Sequence, residues 1–299
     1  MVGSHFVNTT ALRCATAGRV DPRINGGRVE RFDFLDLADP ARVARYVRST
    51  EESCIVNFAA RTDVDGVERE RSSLGVPEGG PAWIVNALTP GAVATAVQEG
   101  GKHLIQISTD FVFDGLEGPY AEDSDRSPLT DRLSWYGWTK SESERLVLAA
   151  APHSTVVRIA YPYRARFPEK LDFARRIVEN RRLGRLSPLY ADQQITPTWI
   201  PDVTQTLEVL LARRPRGVFH VASPDLTTPF EFGSELLRQI EGRDANLEAG
   251  RMATANPITG RAPRPLRGGL RTLRLSGIGV SPTGWRSGIR RLVEEEEWA

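Results

Sequence analysis

Lysine is nearly missing from this chain of 299 residues: of 39 basic residues only Lys102, Lys140 and Lys170 are lysine, and the others are arginine. The formal net charge is +1, so neither sign is in excess and no nucleic-acid partner is implied. Only two cysteines occur, Cys14 and Cys54, without a CxxC pair or a disulfide framework, and both read as buried thiols. The four histidines stand apart, with no HxxxH or HExxH spacing, which argues against a catalytic zinc site or any other metal. Long apolar runs are lacking too. The stretch 146–151 is among the longest, far short of the ~20 residues that cross a membrane. The first residues lack the basic, apolar and small-residue pattern of a secretion signal, so a cytoplasmic location is the default expectation.

What is present describes an ordinary globular protein, 40% hydrophobic and 26% charged. To about residue 160, short β-branched runs at 28–34, 53–58, 102–108 and 154–161 alternate with amphipathic helical stretches at 40–49, 82–99 and 134–150. That alternation predicts an α/β, Rossmann-like, doubly wound parallel sheet with helices on both faces. Asp39 and Pro40 suit the N-cap and first turn of one helix. Residues 66–81 read as an exposed loop without chemistry, and 114–133 as a long polar loop leading from a strand end into the next helix. Beyond 160 the alternation loosens. Helices are expected at 170–182, 202–212, 229–241 and 285–296, with a strand at 217–222 and an Arg-, Gly- and Pro-rich linker or flap at 242–270. The expected division is 1–160 as a dinucleotide-binding domain and 161–299 mainly as a substrate lobe, with some segments returning to the sheet. The acidic run 294–297 reads as a frayed helix end.

Tyr136 and Lys140 open the helix at 134–150, four residues apart and therefore on one face. A phenol with a pKa near 10 exchanges protons poorly at neutral pH. An ammonium one turn away favours the phenolate, making the tyrosine a better donor to a carbonyl oxygen that receives hydride. A hydroxyl at a neighbouring strand end would polarise the same carbonyl, and Ser108-Thr109 ends the strand at 102–108. The structural alternative is an ordinary helix face. Trp135 and Trp138 beside the pair read as packing rather than ligand contacts.

With these residues in view, the sequence resembles the extended short-chain dehydrogenase/reductases, specifically the dTDP-4-dehydrorhamnose reductase group. The resemblance rests on an ordered set of segments spanning almost the whole chain. They are 56–65 (VNFAARTDVD), 108–115 (STDFVFDG), 136–140 (YGWTK), 157–161 (VRIAY), Asp192-Gln193 with Pro197-Thr198, and 217–222 (GVFHVA). It implies hydride transfer from NAD(P)H to C4 of a nucleotide-activated 4-keto-6-deoxy sugar. Tyr136 would be the proton donor, Lys140 its activator and ribose ligand, and Thr109 a partner of the carbonyl. Phe58, Ala59, Ala60 and Thr62 would follow the cofactor, Asp36 and Leu37 would lie near adenine, and Ala160 and Tyr161 would flank the nicotinamide. Asp110 and Phe111 would meet the sugar, with Phe111 where the family carries tyrosine. Gln193, Pro197 and Thr198 would lie near the base. A homodimer is compatible with all of this.

Two departures matter. The family begins with a strand and a glycine-rich turn whose amides hold the cofactor diphosphate. Residues 1–6 (MVGSHF) resemble only the tail of that motif, with Gly3 as its last glycine. The expectation is therefore a missing central strand, unpaired sheet backbone and a reduced phosphate cradle. Asp172 stands where relatives often carry asparagine near the substrate diphosphate and would add unfavourable charge. Arg19 and Arg23 slightly favour NADP(H) over NAD(H). A non-catalytic binding or regulatory subunit, and a sugar-nucleotide epimerase or dehydratase, are the competing functions.

Overall fold

The computed structural model describes residues 1–19, 29–73, 77–127, 132–167, 169–252, 261–296 and 298. Arg23, Arg28, Glu297 and residues 253–260 of the expected flap lie outside these. The elements, in order, are α1 (Val2–Thr9), β1 (Cys14–Gly18), β2 (Val29–Phe34), α2 (Pro40–Ser49), β3 (Cys54–Asn57) and α3 (Val64–Ser73). Then come α4 (Pro81–Trp83), α5 (Thr89–Glu99), β4 (His103–Thr109), α6 (Trp135–Ala150), β5 (Thr155–Ile159) and α7 (Phe173–Arg182). The rest are β6 (Leu189–Tyr190), α8 (Ile200–Arg213), β7 (Gly217–Val221), α9 (Pro229–Glu241), β8 (Ala249–Gly250) and α10 (Trp285–Glu295).

Strands β3, β4, β5 and β7 form a parallel sheet in that order, which the βαβ alternation requires. All seven residues of β4 are buried, as in a strand covered on both faces. Their alternation divides the core. Ile105 and Ile107 pack with Phe6 and Val7 of α1 and Val203, Leu207 and Leu210 of α8, while Leu104 packs with Val43, Val93, Val97 and Val147 of α2, α5 and α6. A separate cluster of Tyr163, Trp199, Phe232, Leu236, Trp285 and Ile289 holds α7, α9 and α10 together. The later half of the chain also contributes β7 to the sheet and α8 to its face.

The sheet is interrupted where the missing strand was expected. Among the described residues β1 pairs only with β2, and β3 only with β4, and the edges of β1 and β3 line one cavity. Cys14 and Cys54 begin these two edge strands and are half-buried rather than buried, because each opens onto that cavity.

Residues 66–81 are not simply a loop, since α3 covers much of that segment. Its only fully buried apolar residue is Val67, so no helical stripe shows in the sequence. Its carboxylates secure it instead: Glu68 accepts the amide of Trp135 at 2.6 Å and Glu70 that of Ala82 at 2.7 Å, each capping the start of another helix. The helix expected at 82–99 is broken by a π-helical turn at Ile84–Leu88. That turn carries Asn86, whose amide accepts Arg61 N and donates to Arg61 O and Thr139 Oγ1, tying the loop after β3 to α6.

Candidate active site

Thr109 ends β4 and accepts the amide of Phe111, so the chain turns sharply into Asp110 and Phe111. Across from it α6 starts at Trp135, with Ser134 as N-cap accepting the Gly137 amide at 3.0 Å. Gly137 lets the helix approach this turn, because a Cβ there would overlap the Phe111 carbonyl oxygen. The two strand-to-helix connections thereby bring Thr109 and Tyr136 to the same cavity wall, where the Thr109 hydroxyl donates to Asp110 Oδ1 at 3.2 Å. Phe111 packs edge-on against Tyr136, with ring centroids 5.8 Å apart.

Lys140 lies one turn beyond Tyr136, and its Nζ donates to the Ile107 carbonyl at 2.8 Å. The expected depression of the phenol by this ammonium does not prevail, because burial outweighs it. Burial, then the carboxylate of Asp110, push the Tyr136 phenol well above its usual range, with Thr109 opposing that rise. Burial lowers Lys140 to about 8, with Glu144 opposing that fall. Both groups therefore keep their protons at neutral pH.

Asp110 is fully enclosed, and burial lifts its carboxyl from 3.8 to about 7 against hydrogen bonds from Thr109 and the local backbone. Because its folded value is raised, its contribution to stability is complete below the unfolded value and fades as pH rises through about 7. Thermal unfolding should therefore show Asp110→Asn losing less stability than the parent between about pH 4 and pH 8, with a ceiling of about 4 kcal/mol on the difference. Parallel curves for the two proteins would assign that pH dependence elsewhere.

Gly3, Leu37, Phe58, Ala59, Ala60, Thr62, Thr109, Asp110, Phe111, Tyr136, Lys140, Tyr161 and Gln193 all line one cavity of about 1970 Å³. Asp36, Ala160, Pro197 and Thr198 do not line it. Asp36 accepts the Ala38 amide in the turn before α2. Ala160 and Thr198 bond each other reciprocally, and Thr198 Oγ1 also donates to Val221 O, joining the ends of β5 and β7 behind the cavity wall. The Pro197 carbonyl accepts Ser223 N. Gln193 is committed within the wall, donating to the Tyr161 hydroxyl at 2.8 Å and to Pro265 O at 3.0 Å.

Asp172 brings less charge than expected. Its carboxylate caps α7 through the Arg175 amide, pairs with Arg175 Nη1 at 2.9 Å and accepts Arg164 N. Trp135 stacks on Trp83 at 5.6 Å, and neither Trp135 nor Trp138 lines the cavity. Lysine scarcity marks more than one position: Lys102 Nζ bonds the Val47 and Thr50 carbonyls at the end of α2, and Lys170 Nζ donates to Thr62 Oγ1 at 2.6 Å.

Of the 242–270 segment, Met252 and residues 261–264 line the cavity, while most of 242–251 is exposed. Asp65 on α3 pairs with Arg264 at 2.7 Å and accepts Ala262 N at 3.0 Å, so Arg261 and Arg264 sit in the cavity wall. Sequence reasoning missed Asp65, since α3 itself was invisible, although the VD pair fell inside a matched segment.

The first turn of α1 also reaches the cavity. Met1, Val2, Gly3 and Ser4 line the cavity, and no side chain caps the helix start. Gly3 is needed at close quarters, because a Cβ there would stand 3.0 Å from the Phe58 ring.

Comparison with known proteins follows the same lines. A probable dTDP-4,6-dihydroxy-2-methyloxan-3-one 4-ketoreductase of Streptomyces antibioticus is 31% identical over 86% of this chain and 83% of its own length. The dTDP-4-dehydrorhamnose reductase of Mycobacterium tuberculosis is 31% identical over 85% of this chain and 80% of its own. The crystal structure of dTDP-4-dehydrorhamnose reductase from Bacillus anthracis in complex with NADP superposes with a TM-score of 0.76, covering 94% of this chain and 98% of that one at 22% identity. The family described as the RmlD substrate binding domain matches residues 20–297, and the chain belongs to it.

Proposed function

We propose that this protein is a nicotinamide-dependent reductase acting on the C4 carbonyl of a nucleotide-activated 4-keto-6-deoxy sugar, with Thr109, Tyr136 and Lys140 as its reacting centre. The observation that carries this reading is that Thr109 at the end of β4, Tyr136 at the start of α6 and Lys140 one turn along all meet the wall of one cavity. The named activities of the bacterial relatives support the same substrate class.

The residues fit a nicotinamide dinucleotide. The open amides of α1 and Gly3 would take its diphosphate, Phe58 to Ala60 its length, Leu37 the adenine end, Lys140 a ribose hydroxyl and Tyr161 the nicotinamide side. When bound, the dinucleotide supplies hydride. The protein's part is the proton: Tyr136 holds it at neutral pH and releases it to the carbonyl oxygen as negative charge develops there, while the Thr109 hydroxyl, which donates to Asp110 Oδ1 in this structure, would turn to donate a second hydrogen bond to that oxygen. Lys140, still protonated, favours the resulting phenolate. Arg19 at the end of β1 lines the cavity and favours the 2′-phosphate of NADPH. A cytoplasmic location accords with a chain whose described residues contain no helix long and apolar enough to cross a membrane.

A non-catalytic binding protein of the same fold is the second reading. Titration of NADPH fluorescence separates the two. Saturable binding, with turnover on a 4-keto sugar nucleotide, is the expected result. No binding at millimolar NADPH would remove the reductase reading, and binding without turnover would favour the second. Arg19→Ala should narrow the preference for NADPH over NADH, and an unchanged ratio would clear Arg19 of that role.

A further inference from the structure

Beneath the reacting centre lies a buried charged cluster that the chemistry above does not use. Glu144, fully inaccessible, is one helical turn beyond Lys140 on the same face of α6. Its Oε1 accepts Ser108 Oγ at 2.5 Å and Arg158 Nε at 2.9 Å, and its Oε2 accepts Arg158 Nη2 at 2.7 Å. Arg126, from the loop before α6, approaches the same carboxylate at 3.7 Å. Arg158 is itself held from above and behind, over the Phe113 ring at 4.8 Å and against His220 Nε2 at 3.3 Å. The carboxylate thus joins α6 to β4, β5 and, through His220, β7.

The position of these bonds along β4 gives them meaning. Lys140 grips Ile107 through its carbonyl, Glu144 grips Ser108 through its hydroxyl, and the next residue is Thr109. Two successive residues of β4 are therefore fixed to two successive turns of α6, just before the strand end that meets Tyr136. Resting on the reading of Thr109, Tyr136 and Lys140 given above, we propose that Glu144 is a positioning residue for this reaction. It sets the end of β4 against α6 through Ser108, and it supplies the buried counter-charge that keeps Lys140 an ammonium.

Among the described residues, the groups able to carry charge around Lys140 are few. Tyr136 and Glu144 lie on its own helix, Asp110 and Tyr161 follow β4 and β5, and Arg158 and Arg126 converge on the far side of Glu144. Both arginines disfavour an ammonium nearby, Asp110 is partly protonated at neutral pH, and Tyr136 and Tyr161 are neutral, so Glu144 is the one full negative charge in the group. Removing it leaves burial and the arginines to drive the ammonium toward its neutral form.

Lysine scarcity makes the test direct, since selective carbon-13 labelling of lysine gives signals from three residues, assigned with a Lys140→Arg variant. In Glu144→Gln the midpoint of the Lys140 titration should fall by about one pH unit, with kcat at neutral pH down about tenfold and KM within about twofold. Ser108→Ala, which leaves the charge in place, should lower kcat similarly without moving that midpoint. If Glu144→Gln alone does not fold, the double variant Glu144→Gln, Arg158→Gln removes both halves of the buried pair and its Lys140 midpoint is compared with that of Arg158→Gln alone, so that the lost arginine charge cancels from the difference. An unchanged Lys140 midpoint in the folded variant would overturn the counter-charge role, and full kcat in Ser108→Ala would overturn the positioning role. The titration needs no turnover. A parent protein without reductase activity would sink the functional reading while leaving the electrostatic one measurable.

Discussion

Tyr136→Phe should lower kcat by at least about 10²-fold while leaving NADPH affinity within about twofold. The phenol is the group at the end of α6 able to release a proton to a carbonyl oxygen beside Thr109, and its pKa is raised so far by burial that it is protonated across the working pH range. Phenylalanine retains the ring, its edge-on contact with Phe111 and the surrounding packing, so the loss falls on the proton rather than on the fold. Cofactor affinity is spared because the surfaces that would hold the dinucleotide, from Gly3 to Ala60 and Lys140, are untouched. Single-turnover measurements at saturating NADPH would isolate the chemical step. Residual turnover within a few-fold of the parent would take Tyr136 out of the donor role and leave Asp110, with its carboxyl near 7, as the next group to test.

Gly137→Ala should be the most damaging small substitution in the same helix. In an unconstrained helix the exchange is stabilising by roughly 0.5–1 kcal/mol. Here the new methyl would overlap the Phe111 carbonyl oxygen and stand 3.2 Å from Ser134 Oγ. The carbonyl is backbone and cannot swing away, and Ser134 Oγ is held by the Gly137 amide. The start of α6 and the turn carrying Thr109, Asp110 and Phe111 must part, a clash of the kind that costs about 1–3 kcal/mol. A displacement near 1 Å at reacting groups is enough to cost about 10²-fold in rate. Denaturant unfolding together with kcat would read both effects. A gain in stability, as at an ordinary helical glycine, would show that the close approach of helix and turn is not required.

Much of this architecture was readable from local pattern. The helices at Pro40–Ser49 and Pro229–Glu241 have the bounds their proline starts and apolar stripes predict. The parallel strands follow from runs of β-branched residues buried on both faces. Helix α3 was not readable, because one valine and two capping carboxylates hold it in place, and neither leaves a periodic signal. Strand β1 was missed as well: its sequence, CATAG, has one β-branched residue and faces the gap in the sheet. The flap was legible as composition only, since its orientation depends on Asp65, some 200 residues earlier in the chain.

The candidate site divides in the same way. Sequence spacing determined that Tyr136 and Lys140 share a helix face and that Thr109 ends a strand before them, because helical and strand periods are local properties of the backbone. Tertiary structure decided what those groups are chemically. It enclosed Asp110 and Tyr136, turned the Lys140 ammonium onto a strand carbonyl, and placed Glu144 beneath it against Ser108 and Arg158. A pKa depends on what surrounds a group in space, and those neighbours come from α6, β4, β5 and the turn at Asp110, which only the folded sheet brings within a few ångströms of one another.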